Sequence, residues 1–158
     1  MQAQIFYIER RFSSSTSNSS QTFDELSDLK VVLIADGPGT GKSTMLKNAA
    51  LKFKKKFPQN WISYVDVKRH LKAFDGIKEK REFNSTEIFT FLSDEILKLS
   101  EERKEIFRSR FIIGMAIFLW DGIDELNPDY EEVISSLFQS MQEMTKNVQW
   151  IATSPKYA

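Results

Sequence analysis

The chain has 158 residues, 22 basic and 22 acidic side chains, and no cysteine. Its length suits one domain with a real core, and the cancelled charge gives no reason to expect a protein that coats nucleic acid. The missing cysteines exclude disulfides, thiolate metal sites and a cysteine nucleophile, and the single histidine, His70, excludes a multi-histidine metal centre.

Residues 1–12 are apolar and aromatic, then basic. Arg10-Arg11-Phe12-Ser13, followed by hydroxyl residues, has some of the look of a mitochondrial presequence and its cleavage site. Glu9 and the short length weigh against it, and a cytoplasmic protein is the expectation. Ser13 to Ser20 reads as a flexible linker. The division is therefore a lead-in segment and Ser-rich linker over 1–22, then a domain over 23–158. No apolar run reaches the ~18 residues of a membrane span. The longest, Phe111 to Trp120, is broken by Gly114 and ends at an aspartate.

Phe23 to Leu29 is a short approach segment. Lys30–Ala35 is the first strand, and its β-branched apolar run is typical of a strand buried on both faces of a parallel sheet. Asp36-Gly37-Pro38-Gly39-Thr40-Gly41-Lys42-Ser43-Thr44 follows at once, and a helical pattern runs from about Gly41 to Phe57. This is the strand–loop–helix setting of a phosphate-binding loop. Gly37, Gly39 and Gly41 let backbone N–H groups turn inward toward a phosphate. The helix start, with Thr40 and Thr44 beside it, offers unpaired N–H groups at the same spot. Lys42 reaches the β- and γ-phosphates, and the Ser43 hydroxyl ligates Mg²⁺. One position departs from G-x-x-x-x-G-K-[ST]: Asp36 stands where the first glycine belongs. Aspartate tolerates left-handed backbone angles better than most residues, so this is read as a tolerated variant. Lys52, Lys54, Lys55 and Lys56 form a solvated helix end that suits the helix C-terminus. Pro58 stops the helix.

Trp61–Val67 is the second strand, and His70 beyond it is a surface or loop residue. Asn84 and Glu87 form a capping box for a helix over Ser85–Leu99. A shorter helix covers Glu101–Arg110, with Ile106 and Phe107 inward. Met115–Trp120 is the third strand. Asn127-Pro128 starts a helix to about Lys146, burying Val133, Leu137 and Met141 or Met144. Val148–Thr153 is the fourth strand. Strands alternating with helices make an α/β fold: a parallel sheet with helices on both faces, three layers in all.

The third strand ends in Asp121, with Gly122-Ile123-Asp124-Glu125-Leu126 after it. A parallel sheet exposes its strand C-termini on one edge, where ligands bind. Asp121 therefore emerges on the same edge as the loop after Ala35, where a carboxylate holds Mg²⁺, usually through water. Asp124 or Glu125 is placed to orient an attacking water. Their bland alternative is the acidic preference of a helix N-terminus.

Together, Gly37 to Thr44 and Phe118 to Leu126 resemble the Walker A and Walker B motifs of the NACHT family, in the STAND class of P-loop NTPases. The likeness covers about Phe6 to Ser154. It implies ATP and Mg²⁺ as ligands of a signalling switch, and slow or absent hydrolysis is expected because the arginine that senses the γ-phosphate in this family is missing. It also implies the strand order first–fourth–third–second. Tyr7-Ile8-Glu9-Arg10 resembles the segment that lines the adenine in this family, and Val148 to Ser154 resembles the strand that carries its sensor. Where the family has arginine after Thr-Ser, this chain has Pro155. The fifth strand, helical subdomain and winged helix that the resemblance implies do not follow before Ala158, so a partial domain is expected. The first strand is then an open sheet edge, prone to self-association.

A Ras-like GTPase is disfavoured, because Asp121-x-x leads to Asp124 and no guanine motif is present. A small-molecule or nucleotide kinase would need a lid rich in arginines, for which Glu101–Arg110 is a poor candidate. The alternatives kept are an AAA+-like ATPase and a scaffold that holds nucleotide without turnover. Expected partners are nucleotide and other protein domains or copies, with no membrane and no nucleic acid.

Overall fold

The computed structural model describes residues 12–14 and 17–153. The core is a four-stranded, all-parallel sheet. Its strands are β3 (Val31–Ala35), β4 (Trp61–Asp66), β5 (Ala116–Asp121) and β6 (Val148–Thr153), and their order is β3-β6-β5-β4. This is the expected order, first–fourth–third–second. All four strands lie within one residue of the expected bounds, and β6 matches at both ends.

Side-chain alternation splits the sheet between two cores. Val32 and Ile34 of β3, Ile117 and Leu119 of β5, and Trp150 and Ala152 of β6 face α2 (Lys42–Lys56). Met45, Leu46, Ala49 and Phe53 of α2 meet them at three- and four-residue spacing. Phe118, Trp120 and Ile151 face the opposite layer. That layer holds α4 (Ser85–Thr90), α5 (Glu101–Ile112) and α6 (Glu131–Met144). On the α2 side Phe53 sits edge-on to Trp150 at 5.1 Å between ring centroids, with Phe23 packed against it at 4.9 Å. Phe23 begins α1 (Phe23–Leu26), a single turn closed by a Thr22–Glu25 capping box. Lys56 ties the far end of α2 to this turn by donating to Ser27 Oγ at 2.7 Å.

Several local expectations are corrected. Ser13 to Ser20 is not a linker in backbone terms: β1 (Phe12–Ser14) and β2 (Ser17–Gln21) pair antiparallel, with Phe12 opposite Gln21. β3 is not buried on both faces. It sits at the sheet edge, and Leu33 is 54% exposed while Val32 and Ile34 are buried. The helix expected over Ser85–Leu99 changes character. After α4 it widens into a π-helical turn over Phe91–Ile96, where the Leu97 N–H reaches back five residues to Leu92 O at 2.8 Å. Phe91, Leu92, Ser93 and Ile96 are thereby all buried, a set that a regular helix spreads around its axis. Lys98, at φ 48°, ends the segment in the left-handed region.

A short 3₁₀ turn over Val67–His70 and α3 (Leu71–Asp75) follow β4. Val67 belongs to that turn, and His70 ends it, in a connection as expected and half-buried. Burial, then the neighbouring Lys98, lowers the His70 pKa below its usual value. Ile106 of α5 is 55% exposed, because Phe107 and Phe111 define the inward stripe. Asn127 caps a 3₁₀ turn, Pro128–Tyr130, before α6 begins. Met141 is buried and Met144 exposed. Among the described residues no helix is long and apolar enough to cross a membrane. The adenine-side segment expected at Tyr7–Arg10, and Pro155, lie outside the described residues.

Candidate functional site

The loop from β3 to α2 turns on two glycines. Gly39 and Gly41 lie at φ 75° and 85°, the left-handed region where a side chain is strained. Thr40 Oγ1 donates to Gly37 O at 2.9 Å and closes the loop from below. Asp36 does not adopt the left-handed backbone allowed for it, since Lys98 alone does so among described non-glycine residues. Instead its carboxylate accepts the Gly37 N–H at 2.7 Å. The glycine missing at position 36 is therefore not required by backbone conformation. At Gly41, α2 starts without a side-chain cap. That leaves its first turn in the state in which a helix start can accept an anion. Ser43 and Thr44 stand exposed on that turn.

Lys42 folds back over the loop. Its Nζ donates to Asp36 O at 2.7 Å and Gly37 O at 2.8 Å, and it lies 3.6 Å from Asp124 Oδ2. The side chains of this pair are only 11% and 13% exposed. The ammonium thus makes two hydrogen bonds and one longer ion pair. The two motifs of the sequence, far apart along the chain, meet at this contact.

Asp121 ends β5, buried, in register with Asp66 at the end of β4. Gly122, at φ 80°, turns the chain into a 3₁₀ turn over Ile123–Glu125. Asp121 Oδ2 accepts a short hydrogen bond from the Tyr64 hydroxyl. Burial, followed by that bond, raises the Tyr64 pKa well above the usual phenol value. Lys47 of α2 covers the Tyr64 ring, 5.4 Å from its centroid. Glu125 is the outlier of the expected site. Its carboxylate pairs with Lys68, in the turn after β4. Asp124, not Glu125, is the carboxylate beside Lys42.

The expected site residues thus fall into three places. Gly37, Gly39, Thr40, Gly41, Lys42, Ser43 and Thr44 form one loop and helix start. Asp124, just after β5, reaches Lys42 of that loop, and Asp121 ends β5, which β6 separates from β3. Glu125 points to Lys68. Sequence reasoning missed Tyr64, Lys47 and Lys68. The first had a readable signal: in a parallel pair of strands, Tyr64 shares the face of Asp66 and Asp121.

Thr153 ends β6 where the sensor strand is expected, and its buried Oγ1 has no partner among the described residues. Ser154 and the residues after it lie beyond that description. A cleft of about 310 Å³ opens on the α6 face instead, between Val31, Leu33, Ile151, Ile134 and Phe138. It lies on the opposite side of the sheet from α2.

Among the described residues no group of three or more His, Cys, Asp or Glu side chains is placed to hold a metal. The donor set at the loop, one hydroxyl (Ser43) and one carboxylate (Asp121), suits Mg²⁺, which keeps waters and borrows phosphate oxygens rather than taking a full protein cage. Comparison with known protein-family models and with curated proteins finds no match.

Proposed function

We propose that this chain binds a nucleoside triphosphate, ATP by family likeness, with Mg²⁺ at the loop 36–44, as a NACHT-like switch module. The observation that carries the reading is Lys42. A lysine ammonium is held at the mouth of a glycine-rich loop, at the start of an uncapped helix, beside a carboxylate from the next motif. Isolated turns rarely assemble these parts together. In the bound state Lys42 leaves the Asp36 and Gly37 carbonyls for the β- and γ-phosphates. The first-turn N–H groups of α2 and the inward N–H groups of the loop neutralise phosphate charge. Ser43 and Asp121 would hold the cation, Asp121 through water. Bound Mg²⁺ would supply charge neutralisation between the phosphates.

Asp124, beside Lys42, is the nearer carboxylate for orienting a water. Glu125 takes that part only when Lys68 releases it. This Lys68–Glu125 pair favours a second reading, a module that holds nucleotide with little or no turnover. The two readings share the binding site and differ in phosphate release. An AAA+-like ATPase fits the same parts but has no observation of its own in its favour.

Displacement of a fluorescent ATP analogue by unlabelled ATP tests the common claim. Wild type with Mg²⁺ is expected to bind and Lys42→Ala to lose binding. Equal binding by both contradicts the site, and absence of binding by both contradicts the function.

A further inference from the structure

We propose that Tyr64 is a positioning residue for the cation: its hydroxyl fixes the Asp121 carboxylate so that one oxygen is free to hold the water of a bound Mg²⁺. The inference rests on the nucleotide–Mg²⁺ reading above and deepens it.

The geometry comes from strand register. Tyr64 pairs with Leu119, and Asp66 with Asp121. Side chains two apart on a strand share a face, so Tyr64, Asp66 and Asp121 all project on the α2 side of the sheet, the side of Lys42 and Ser43. The diagonal from Tyr64 to Asp121 is within reach of a long aromatic side chain, and the hydroxyl spans it to Oδ2. The Lys47 ammonium of α2 lies over the Tyr64 ring and adds a contact that favours this orientation. A buried carboxylate with one oxygen already engaged has its rotamer set and its second oxygen available. A metal's outer partners orient its ligands in this way, and their removal typically costs about 10–100-fold in metal affinity. Asp66 is drawn aside by Arg69, at 3.1 Å. Of the two carboxylates that end β4 and β5, Asp121 is thereby the one not drawn toward Arg69.

The test uses the full chain and the ratio of ATP dissociation constants in EDTA and in Mg²⁺. In wild type this ratio measures how much the cation helps binding. Tyr64→Phe keeps the ring, its packing and the Lys47 contact, and removes only the hydroxyl. It is expected to shrink the ratio about tenfold while leaving the constant in EDTA unchanged. A general loosening of the fold would weaken both constants together, so the ratio separates positioning from structural damage. The double variant Tyr64→Phe/Asp121→Asn is expected to match Asp121→Asn alone, because the hydroxyl acts only through that carboxylate. An unchanged ratio in Tyr64→Phe, or additive effects in the double variant, overturns the inference while the nucleotide reading stands. Wild type that fails to bind ATP with or without Mg²⁺ overturns the reading beneath it.

Discussion

Removing the Lys42 ammonium should cost stability even without ligand, and the amount can be worked from its surroundings. Lys42 makes two hydrogen bonds to loop carbonyls, at 2.7 and 2.8 Å, and an ion pair at 3.6 Å with Asp124. Charged hydrogen bonds contribute more than neutral ones, but the two carbonyls belong to a loop that water reaches, so they can be rehydrated. The Asp124 carboxylate is only 13% exposed, and orphaning it carries a desolvation penalty. The sum for Lys42→Ala is about 1–3 kcal/mol. Asp124→Asn leaves Lys42 its two carbonyls and a neutral amide beside it, and should cost about 1 kcal/mol, less than Lys42→Ala. The double variant should then be more stable than the sum of the singles predicts, since the charge left unpaired is gone. A coupling of about 0.5–2 kcal/mol is expected for residues in direct contact. Urea unfolding of the four proteins gives each term, provided the slopes agree. If Lys42→Ala is neutral, or if the two substitutions add, Lys42 is not anchored as described and the meeting of the two motifs is not energetic.

Three further outcomes are expected. Lys68→Ala frees Glu125 and should raise any phosphate release above wild type, while Lys68→Ala/Glu125→Gln should not; a release assay that finds Lys68→Ala unchanged removes Glu125 from the chemistry. His70 has a folded pKa below its unfolded value near 6.5, so the unfolded chain binds the extra proton first as pH falls. Stability should therefore drop as pH falls from about 7 through 6.5 to the folded pKa, and His70→Gln should flatten that part of the urea-midpoint profile; an unaltered slope assigns it to other groups. The exposed Leu33 sits on an edge strand with a neighbour on one side only among the described residues. Leu33→Lys should accordingly reduce concentration-dependent association seen by light scattering, and equal scattering from both proteins means the edge is covered or inert.

The sheet was legible because each strand is a short apolar run bounded by a breaker: Asp36 and Gly37 after β3, Pro58 before β4, Gly114 before β5. The Asn84–Glu87 box and the Asn127 cap were legible as local hydrogen-bonding chemistry, and both are formed. What the sequence hid depends on tertiary context. Nothing local marks Phe91–Ile96 as a π-helical turn, since Phe91, Leu92 and Ile96 read as an ordinary apolar stripe until the sheet demands all of them. Serines at 13–20 have turn-like composition and low strand propensity, so pairing overrode composition. Leu33 looks buried by residue type, and only the expected strand order marked its strand as an edge. At the site, the chemistry-bearing types were visible in the two motifs. Which of Asp124 and Glu125 lies beside Lys42 was not, because Lys68 competes for Glu125 from a turn that carries no motif. Tyr64 needed the neighbour relation of β4 and β5 before its reach to Asp121 had meaning.

Nucleotide binding through Lys42 is tested most directly by the melting temperature with and without Mg-ATP. Ligand at about 1,000 times its dissociation constant adds about 4 kcal/mol of stability. For a chain of 158 residues, each kcal/mol is worth about 2–4 °C. Wild type should therefore melt about 8–16 °C higher with saturating Mg-ATP, and Lys42→Ala should not move beyond its own lower starting point. No shift in wild type, or the same shift in Lys42→Ala, contradicts the account.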